Sequence, residues 1–570
     1  MPAAGDEKRP RPSAITNPAP HGVVRRIVES LRRHPLPWTA VLVICLLCVL
    51  GIVLNQDIKN DAAGCYARQV REFTAGNWAV AFFPMTPPLM IVLSGLVAKL
   101  GIPPFAALKI TSAFFFLAGL WPLIRILRRM LPGSLVGWGC LLYAVNPQLT
   151  RFASSGLLDS AKGFFLLCLA DLLLTYSRES PPKLRHALGI GAALAGLSLA
   201  RGEGAFFTPL ILGSMVVLPW LRQAGSHRIR AIPRHAACAT VAAVFAAVLC
   251  LPQALYIRSV TGTPMLDSRQ TVRINELTKK WRTSGDAAAG HLRELLPQPQ
   301  TVTGRDRTDI PAQDVVTPRR NLRLFLQGLD PFLLALAALA LAVKIRRREW
   351  TAADTVCAVF ILYNAALFAS NNHILKRYIM PTIPFVIAWA VLGAWFLKTH
   401  VFDRLHRQAF PLVAFAVLVG SAGSVVPKLI DRNTPPQAFA RWLEERRGVF
   451  VKPVPVLLKF HPFSSEYHDG RQPIVAATTP QYSYWSKTDW VCISHGRMFT
   501  PEEVRLIVYE QQADLLVVDQ DLLQTCPGFN PDALPWLERV GAAPGKPAWA
   551  AYRILPGSGP GGPTPKAPGP

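Results

Sequence analysis

The chain of 570 residues is 51% hydrophobic and only 17% charged, yet its formal net charge is +26. In a soluble protein that basic excess points to nucleic acid. Here the Lys and Arg residues fall in short segments between apolar runs of membrane-spanning length, the pattern by which membrane proteins set their orientation. Composition therefore excludes a soluble nucleic-acid binder and places the chain among polytopic membrane proteins.

Residues 1–37 are polar and Pro-rich and carry Arg25, Arg26, Arg32 and Arg33, which marks a cytoplasmic tail. The first apolar run, 38–54, lacks a small-residue cleavage site and reads as an anchor rather than a leader. The next run, 88–100, is too short to cross a bilayer. Taken as a helix lying on the outer surface, it lets the span at 105–123 run inward, so that Arg125, Arg128 and Arg129 become cytoplasmic. Further spans follow at 135–147, 156–176, 187–200, 205–221, 236–257, 324–343, 355–369, 379–397 and 410–426, about eleven in all. Every inner loop this produces is basic: Arg178/Lys183/Arg185, Arg222/Arg228/Arg230/Arg234, Lys344/Arg346/Arg347/Arg348 and Lys398/Arg404/Arg407. The predicted organisation is a tail (1–37), a membrane domain (38–430) with outer loops at 55–104 and 258–323, an outer α/β domain (431–555) and a Gly/Pro-rich tail (556–570). Within the outer domain, strands are predicted at 454–460, 473–477 and 514–518, and helices at 436–446 and 501–510. Thr500-Pro501-Glu502-Glu503 is a helix start, with Pro in the first turn and acids at the positive end of the dipole.

Seven of the ten cysteines lie in apolar runs and read as small core residues; Cys65, Cys492 and Cys526 lie outside them. Cys492 and Cys526 share the outer domain, where they either pair or remain free thiols. No Cys/His cluster, Walker loop, GxSxG or HExxH occurs, and neither metal nor cofactor is implied.

Charges at a membrane boundary are costly and mark function. Asp61 follows the first span and opens an amphipathic segment in which Tyr66, Val70 and Phe73 share a face; it is either a base at the bilayer surface or a helix cap. Asp159 sits at the outer end of the fourth span, as a functional acid or a boundary residue in contact with water. Arg201-Gly202-Glu203-Gly204 forms a tight outer turn, and the fork of Arg201 suits either a phosphate or a local pair with Glu203. Lys376-Arg377-Tyr378 precedes the tenth span, as an anionic-headgroup site or an interfacial anchor. Asp330, near the outer end of the eighth span, either pairs with Arg323 or lines a cavity. Asp171, deeper in its span, reads as a snorkelling residue, and His461, His468 and His495 are scattered. Acids and bases thus gather on one face, where acids can activate a hydroxyl and bases can steady a phosphate leaving group.

The order of these features resembles the GT-C membrane glycosyltransferases, in particular the dolichyl-phosphate-mannose protein mannosyltransferase and aminoarabinose (lipid A) transferase-like group. The matching residues are Asp61-x3-Cys65-Tyr66-Ala67 ending in Gly76-Asn77-Trp78, Pro87-Pro88-Leu89 opening a surface helix, Leu158-Asp159, Leu199-Ala200-Arg201-Gly202-Glu203-Gly204, and Arg377-Tyr378-x2-Pro381-x2-Pro384. The chain departs from the family at Ala62, where members often carry a second acid, and at Thr86, where many carry Lys. The resemblance implies a polytopic α-helical fold and transfer of a sugar, with inversion, from a polyprenyl-phosphate donor to an acceptor on protein, lipid or polysaccharide. It makes Asp61 the catalytic base, Arg201, Lys376 and Arg377 the donor-phosphate ligands, and Asp159, Glu203, Tyr66 and Tyr378 the supporting residues. The family mostly works without a catalytic metal, and no cofactor is implied. The Pro-rich, Arg-rich composition suggests a bacterial inner membrane, with the endoplasmic reticulum membrane as the fallback, and the loop charges place the C-terminal domain on the outer, periplasmic side. A transporter or flippase for a lipid-linked glycan is the alternative; it would place its charges near the bilayer midplane instead.

Overall fold

A computed structural model describes residues 35–54, 66–82, 86–179, 181–222, 227–261, 266, 322–323, 325–326, 328–369, 376–402, 474–477, 489–492, 500–510, 513–526, 528–543 and 546–555. The predicted span at 410–426, the strand at 454–460 and the helix at 436–446 lie outside them.

The chain is a polytopic helical membrane protein. Six stretches among the described residues are long and apolar enough to cross a bilayer: Pro35–Val53, Pro104–Met130, Gly202–Trp220, Ile232–Ser259, Ala352–Ala369 and Tyr378–His400. The membrane helices are α1 (Pro35–Leu54), α5 (Pro104–Met130), α6 (Gly133–Val145), α8 (Asp159–Tyr176), α9 (Leu184–Ala200), α10 (Thr208–Arg222), α11 (His227–Thr261), α12 (Pro331–Arg347), α13 (Ala352–Ala369) and α14 (Ile383–Leu397). Short helices connect them: α2 (Ala67–Thr74), α3 (Trp78–Ala81), α4 (Pro88–Ala98) and α7 (Pro147–Ala153). On α1, Leu42, Leu46, Val49 and Val53 are exposed, and on α11 Val244, Val248, Leu251 and Leu255. Both sets recur at steps of four, three and four residues, a single helical face, and lipid is the solvent that suits such stripes. Helix pairs close where side chains are absent: a Cβ on Gly191 of α9 would lie 2.6 Å from the Ala242 carbonyl of α11, and Gly393 of α14 abuts the Leu336 carbonyl of α12.

Helix α4 has eleven residues, ~16 Å at 1.5 Å per residue and about half a bilayer core. It ends at a left-handed Gly101 (φ 87°) before Pro103 and Pro104 start α5. Among the predicted boundaries that move are two helix starts. Helix α11 begins at His227, through a segment whose charges read as loop, because arginine is a good helix former and Pro233 only interrupts the ladder locally. Helix α12 begins at Pro331, later than predicted, because Asp330 takes a positive φ of 64° and its carboxylate accepts the Phe332 amide at 2.9 Å. Asp330 is thus a helix cap.

Among the described residues, the C-terminal part forms a five-stranded mixed sheet with β1 (Ile474–Ala477), β2 (Asp489–Cys492), β3 (Leu515–Val518), β4 (Leu537–Ala543) and β5 (Lys546–Ile554) in the order β2-β1-β3-β5-β4. The first three strands are parallel; β5 runs antiparallel to both β3 and β4. Helices α15 (Pro501–Glu510) and α16 (Gln520–Thr525) flank β3 in sequence. Helix α15 starts in a reciprocal capping box: the Glu503 amide donates to Thr500 Oγ1 (3.2 Å) and the Thr500 amide to Glu503 Oε2 (2.9 Å). Cys526 is a buried free thiol, so it is not paired with Cys492.

Candidate functional site

Asp159 is the first residue of α8, and two local features put it there. Gly156 takes a left-handed φ of 70°, turning the chain out of α7. Ser112 on α5 then holds the turn, its hydroxyl lying 3.2 Å from the Leu157 carbonyl and 3.1 Å from Ser160 Oγ. The second component is the turn after α9. Residues Gly202–Phe207 form a 3-10 turn that folds back so closely that a Cβ on Gly204 would lie 2.5 Å from the Leu197 carbonyl. No other residue fits there without moving backbone, which gives the Arg-Gly-Glu-Gly motif its physical basis.

The two components meet in a buried cluster. Arg201 Nη1 donates to Asp159 Oδ1 at 2.6 Å and Nη2 to Glu203 Oε1 at 3.3 Å. Lys162, one turn along α8 from Asp159, donates to Glu203 Oε2 at 3.1 Å. The guanidinium lies 4.9 Å from the Tyr378 ring centroid, and the Lys162 ammonium 5.9 Å from that of Phe207. Asp159, Lys162 and Arg201 are all buried. Burial works against the charge of Arg201, and the carboxylates of Asp159 and Glu203 outweigh it, raising its pKa well above the ordinary range. Two acids and two bases form a balanced network in which each charge satisfies another.

Of the sequence-predicted residues, Asp159, Arg201, Glu203 and Tyr378 come together here. Tyr66, buried just before α2, is close enough to contribute to the electrostatics of Arg201. Its helix shares a packed apolar layer with Leu157, Leu158, Ala161 and Ala200, which flank Asp159 and Arg201. The 3-10 segment Lys376–Thr382 runs beside α8, with Pro381 facing Gly163. Asp61 and the side chains of Lys376 and Arg377 lie outside the described residues. Lys162 went unnoticed in the sequence, although a lysine three residues from an acid inside an apolar run is itself the signal. Asp171 does not snorkel: it is buried and paired with Arg129 (2.9 Å) and Arg125 (3.0 Å) of α5.

No protein-family model matches the chain, and no curated protein matches it in sequence. Its structure does have solved counterparts. ArnT from Cupriavidus metallidurans bound to undecaprenyl phosphate superposes with a TM-score of 0.55 at 11% identity, over 95% of this chain and 100% of that one. The chain has the GT-C fold. The apo form of the same ArnT gives a TM-score of 0.52 at 12% identity, over 91% and 97% of the two chains. The oligosaccharyltransferase AglB from Archaeoglobus fulgidus, in complex with an inhibitory peptide and a dolichol-phosphate, gives 0.50 at 12% identity over 92% of this chain and 75% of that one. At these identities the likeness concerns the path of the backbone. In this chain the polar cluster stands at the N-terminus of α8 and the C-terminus of α9, one end of both helices.

Proposed function

We propose that the chain is a membrane glycosyltransferase that moves a sugar, with inversion, from a polyprenyl-phosphate donor to an acceptor hydroxyl at the outer face of the membrane. The carrying observation is the buried Asp159–Arg201–Glu203–Lys162 network at one end of the helices of a GT-C fold. Solved proteins of that fold have been captured with undecaprenyl phosphate or dolichol phosphate. In this reading Asp61 accepts the proton of the acceptor hydroxyl. The acceptor oxygen forms its bond to the anomeric carbon from the face opposite the phosphate. The anomeric C–O bond breaks, and polyprenyl phosphate leaves with the electron pair. Arg201, Lys376 and Arg377 take up the charge that builds on the leaving phosphate. Asp159 and Glu203 hold the guanidinium fork in place, Lys162 pairs with Glu203, and Tyr66 and Tyr378 flank the donor. The N-terminal tail is then cytoplasmic and the C-terminal domain periplasmic, in a bacterial inner membrane.

The test is sugar release or transfer from synthetic polyprenyl-phospho-sugars by the protein reconstituted in lipid, with a membrane extract supplying acceptors. Asp61→Asn is expected to lower turnover by about 10²–10⁴-fold, the range of general-base catalysis. Arg201→Ala is expected to lower it by about 10²–10³-fold, as for loss of one charge-stabilising group. Full activity in both variants, at normal expression, would sink the assignment. Movement of an intact lipid-linked glycan across the bilayer without sugar release would establish a flippase instead.

A further inference from the structure

Helix α2 carries a glutamine where its amphipathic pattern calls for an apolar residue. Gln69 is 3% exposed, and among the described residues neither its carboxamide oxygen nor its nitrogen has a hydrogen-bond partner. A buried carboxamide with no partner is costly and rare, and its retention calls for an explanation. A second such group lies on the helix against which α2 packs: Ser94 of α4 is fully buried, and its hydroxyl also has no partner among the described residues. Next to it, Gly95 has no side chain and so leaves room for the Phe73 ring of α2, bringing the two helices close. Gln69 lies three residues after Tyr66, the residue that precedes α2, so the two fall on the same side of the segment. That side belongs to the layer containing Leu158 and Ala200, the neighbours of Asp159 and Arg201.

We propose that Gln69 and Ser94 form a hydroxyl-reading subsite for the ring of the transferred sugar, beside the cluster that meets the donor phosphate. This rests on the glycosyltransferase reading and deepens it. A carboxamide donates through its nitrogen and accepts through its oxygen, so one side chain can engage two neighbouring hydroxyls, and a serine hydroxyl can do either. Polar groups left unpaired until substrate arrives give strong discrimination, because an analogue lacking the hydroxyl leaves them unpaired still. The plain alternative is a buried water bridging the two residues.

Two measurements on the full-length protein in lipid separate these readings, using wild type and Gln69→Met, which keeps the volume of the side chain and removes its polar atoms. The first is thermal stabilisation by polyprenyl-phospho-sugars over that by bare polyprenyl phosphate, across pentose and hexose donors and their singly deoxygenated analogues. The wild type is expected to gain more from at least one hydroxyl-bearing donor than from bare carrier, and Gln69→Met to lose that increment. The second is kcat/KM for that donor and its deoxy analogue: the loss in Gln69→Met should be at least tenfold larger for the hydroxyl donor. Equal losses for both donors, an unchanged increment, or no sugar-dependent increment in the wild type would overturn the subsite. Those results leave the glycosyltransferase reading standing wherever turnover still depends on Asp61 and Arg201; loss of that dependence strikes the enzyme assignment itself.

Discussion

Arg201 is held by two acids from different parts of the chain, Asp159 at the start of α8 and Glu203 two residues downstream, and neither can be removed in isolation. Taking away one partner of a buried ion pair leaves an uncompensated charge, so Asp159→Ala is expected to destabilise the protein by about 3–5 kcal/mol, read as a fall in melting temperature in detergent. Arg201→Lys keeps the charge but not the fork. A lysine can reach one carboxylate and leaves the other exposed to Lys162 alone, so turnover should drop although folding survives. Asp159, Arg201 and Glu203 were legible in the sequence because they break the rule that basic residues gather inside and acids avoid the bilayer. Lys162 was not, since a single lysine in a span looks like a snorkelling residue until its acceptor, 41 positions away, is brought beside it.

At the scale of elements, turns do the positioning. Gly204→Ala would place a methyl within 2.5 Å of backbone and push the 3-10 turn off α9. The expected cost is about 1–3 kcal/mol, with a larger fall in activity than in stability because Arg201 and Glu203 shift together. The turn between α8 and α9, at the other end of these helices, depends on pH. Glu179 is partly desolvated, which alone would raise its pKa. Hydrogen bonds from His186 (2.6 Å) and Lys183 (3.1 Å) outweigh that and hold it below the ordinary glutamate range. A depressed carboxylate contributes fully above its unfolded value and loses that contribution as pH falls through the folded one. The melting temperature of wild type should therefore exceed that of Glu179→Gln above about pH 5, and the gap should close under more acid conditions. Element types were well anticipated where periodicity or capping was strong, as in α15 and its Thr500-Glu503 box, β1 and β3. The start of α11 was missed because Arg228, Arg230 and Arg234 were read by charge, which reports the side of the membrane and says nothing about whether the backbone there is helical.

Over the whole molecule, charged networks occupy both ends of the helices. Asp159 and Asp171 are twelve residues apart on α8, ~18 Å along its axis, so the Asp171–Arg125–Arg129 network lies at the end opposite Arg201. A further lock joins α12 to α13. Lys344 Nζ lies 2.6 and 2.8 Å from the two Asp354 carboxylate oxygens, and Asp354 also accepts from Trp389 Nε1 and the Thr351 amide, each at 2.8 Å. Asp354→Ala should cost about 3–5 kcal/mol, whereas replacing both partners, as in Lys344→Met with Asp354→Leu, should recover most of that stability. Because this lock is not part of the Arg201 cluster, KM for donor should stay unchanged in the double variant. The fold class was legible from the recurrence of apolar runs, but these locks were not: their partners are contributed by separate helices, and pairing between helices leaves no periodic trace.

Helix α8 carries Asp159, Lys162 and Asp171 within eighteen residues, and all three are buried. Each ionised residue near the middle of a lone helix costs about 2.5–3.5 kcal/mol at the translocon, less toward the ends, so α8 is a poor candidate to leave it unaided. Its counter-charges arrive from both sides in the order of synthesis: Arg125 and Arg129 are already made, while Arg201 and Glu203 emerge only after α9. The helix must therefore be retained until its successor has been translated, and the two must partition into lipid as a hairpin against α5. The polar cluster around Arg201 is then assembled during biogenesis, as the condition on which its central helix enters the bilayer at all.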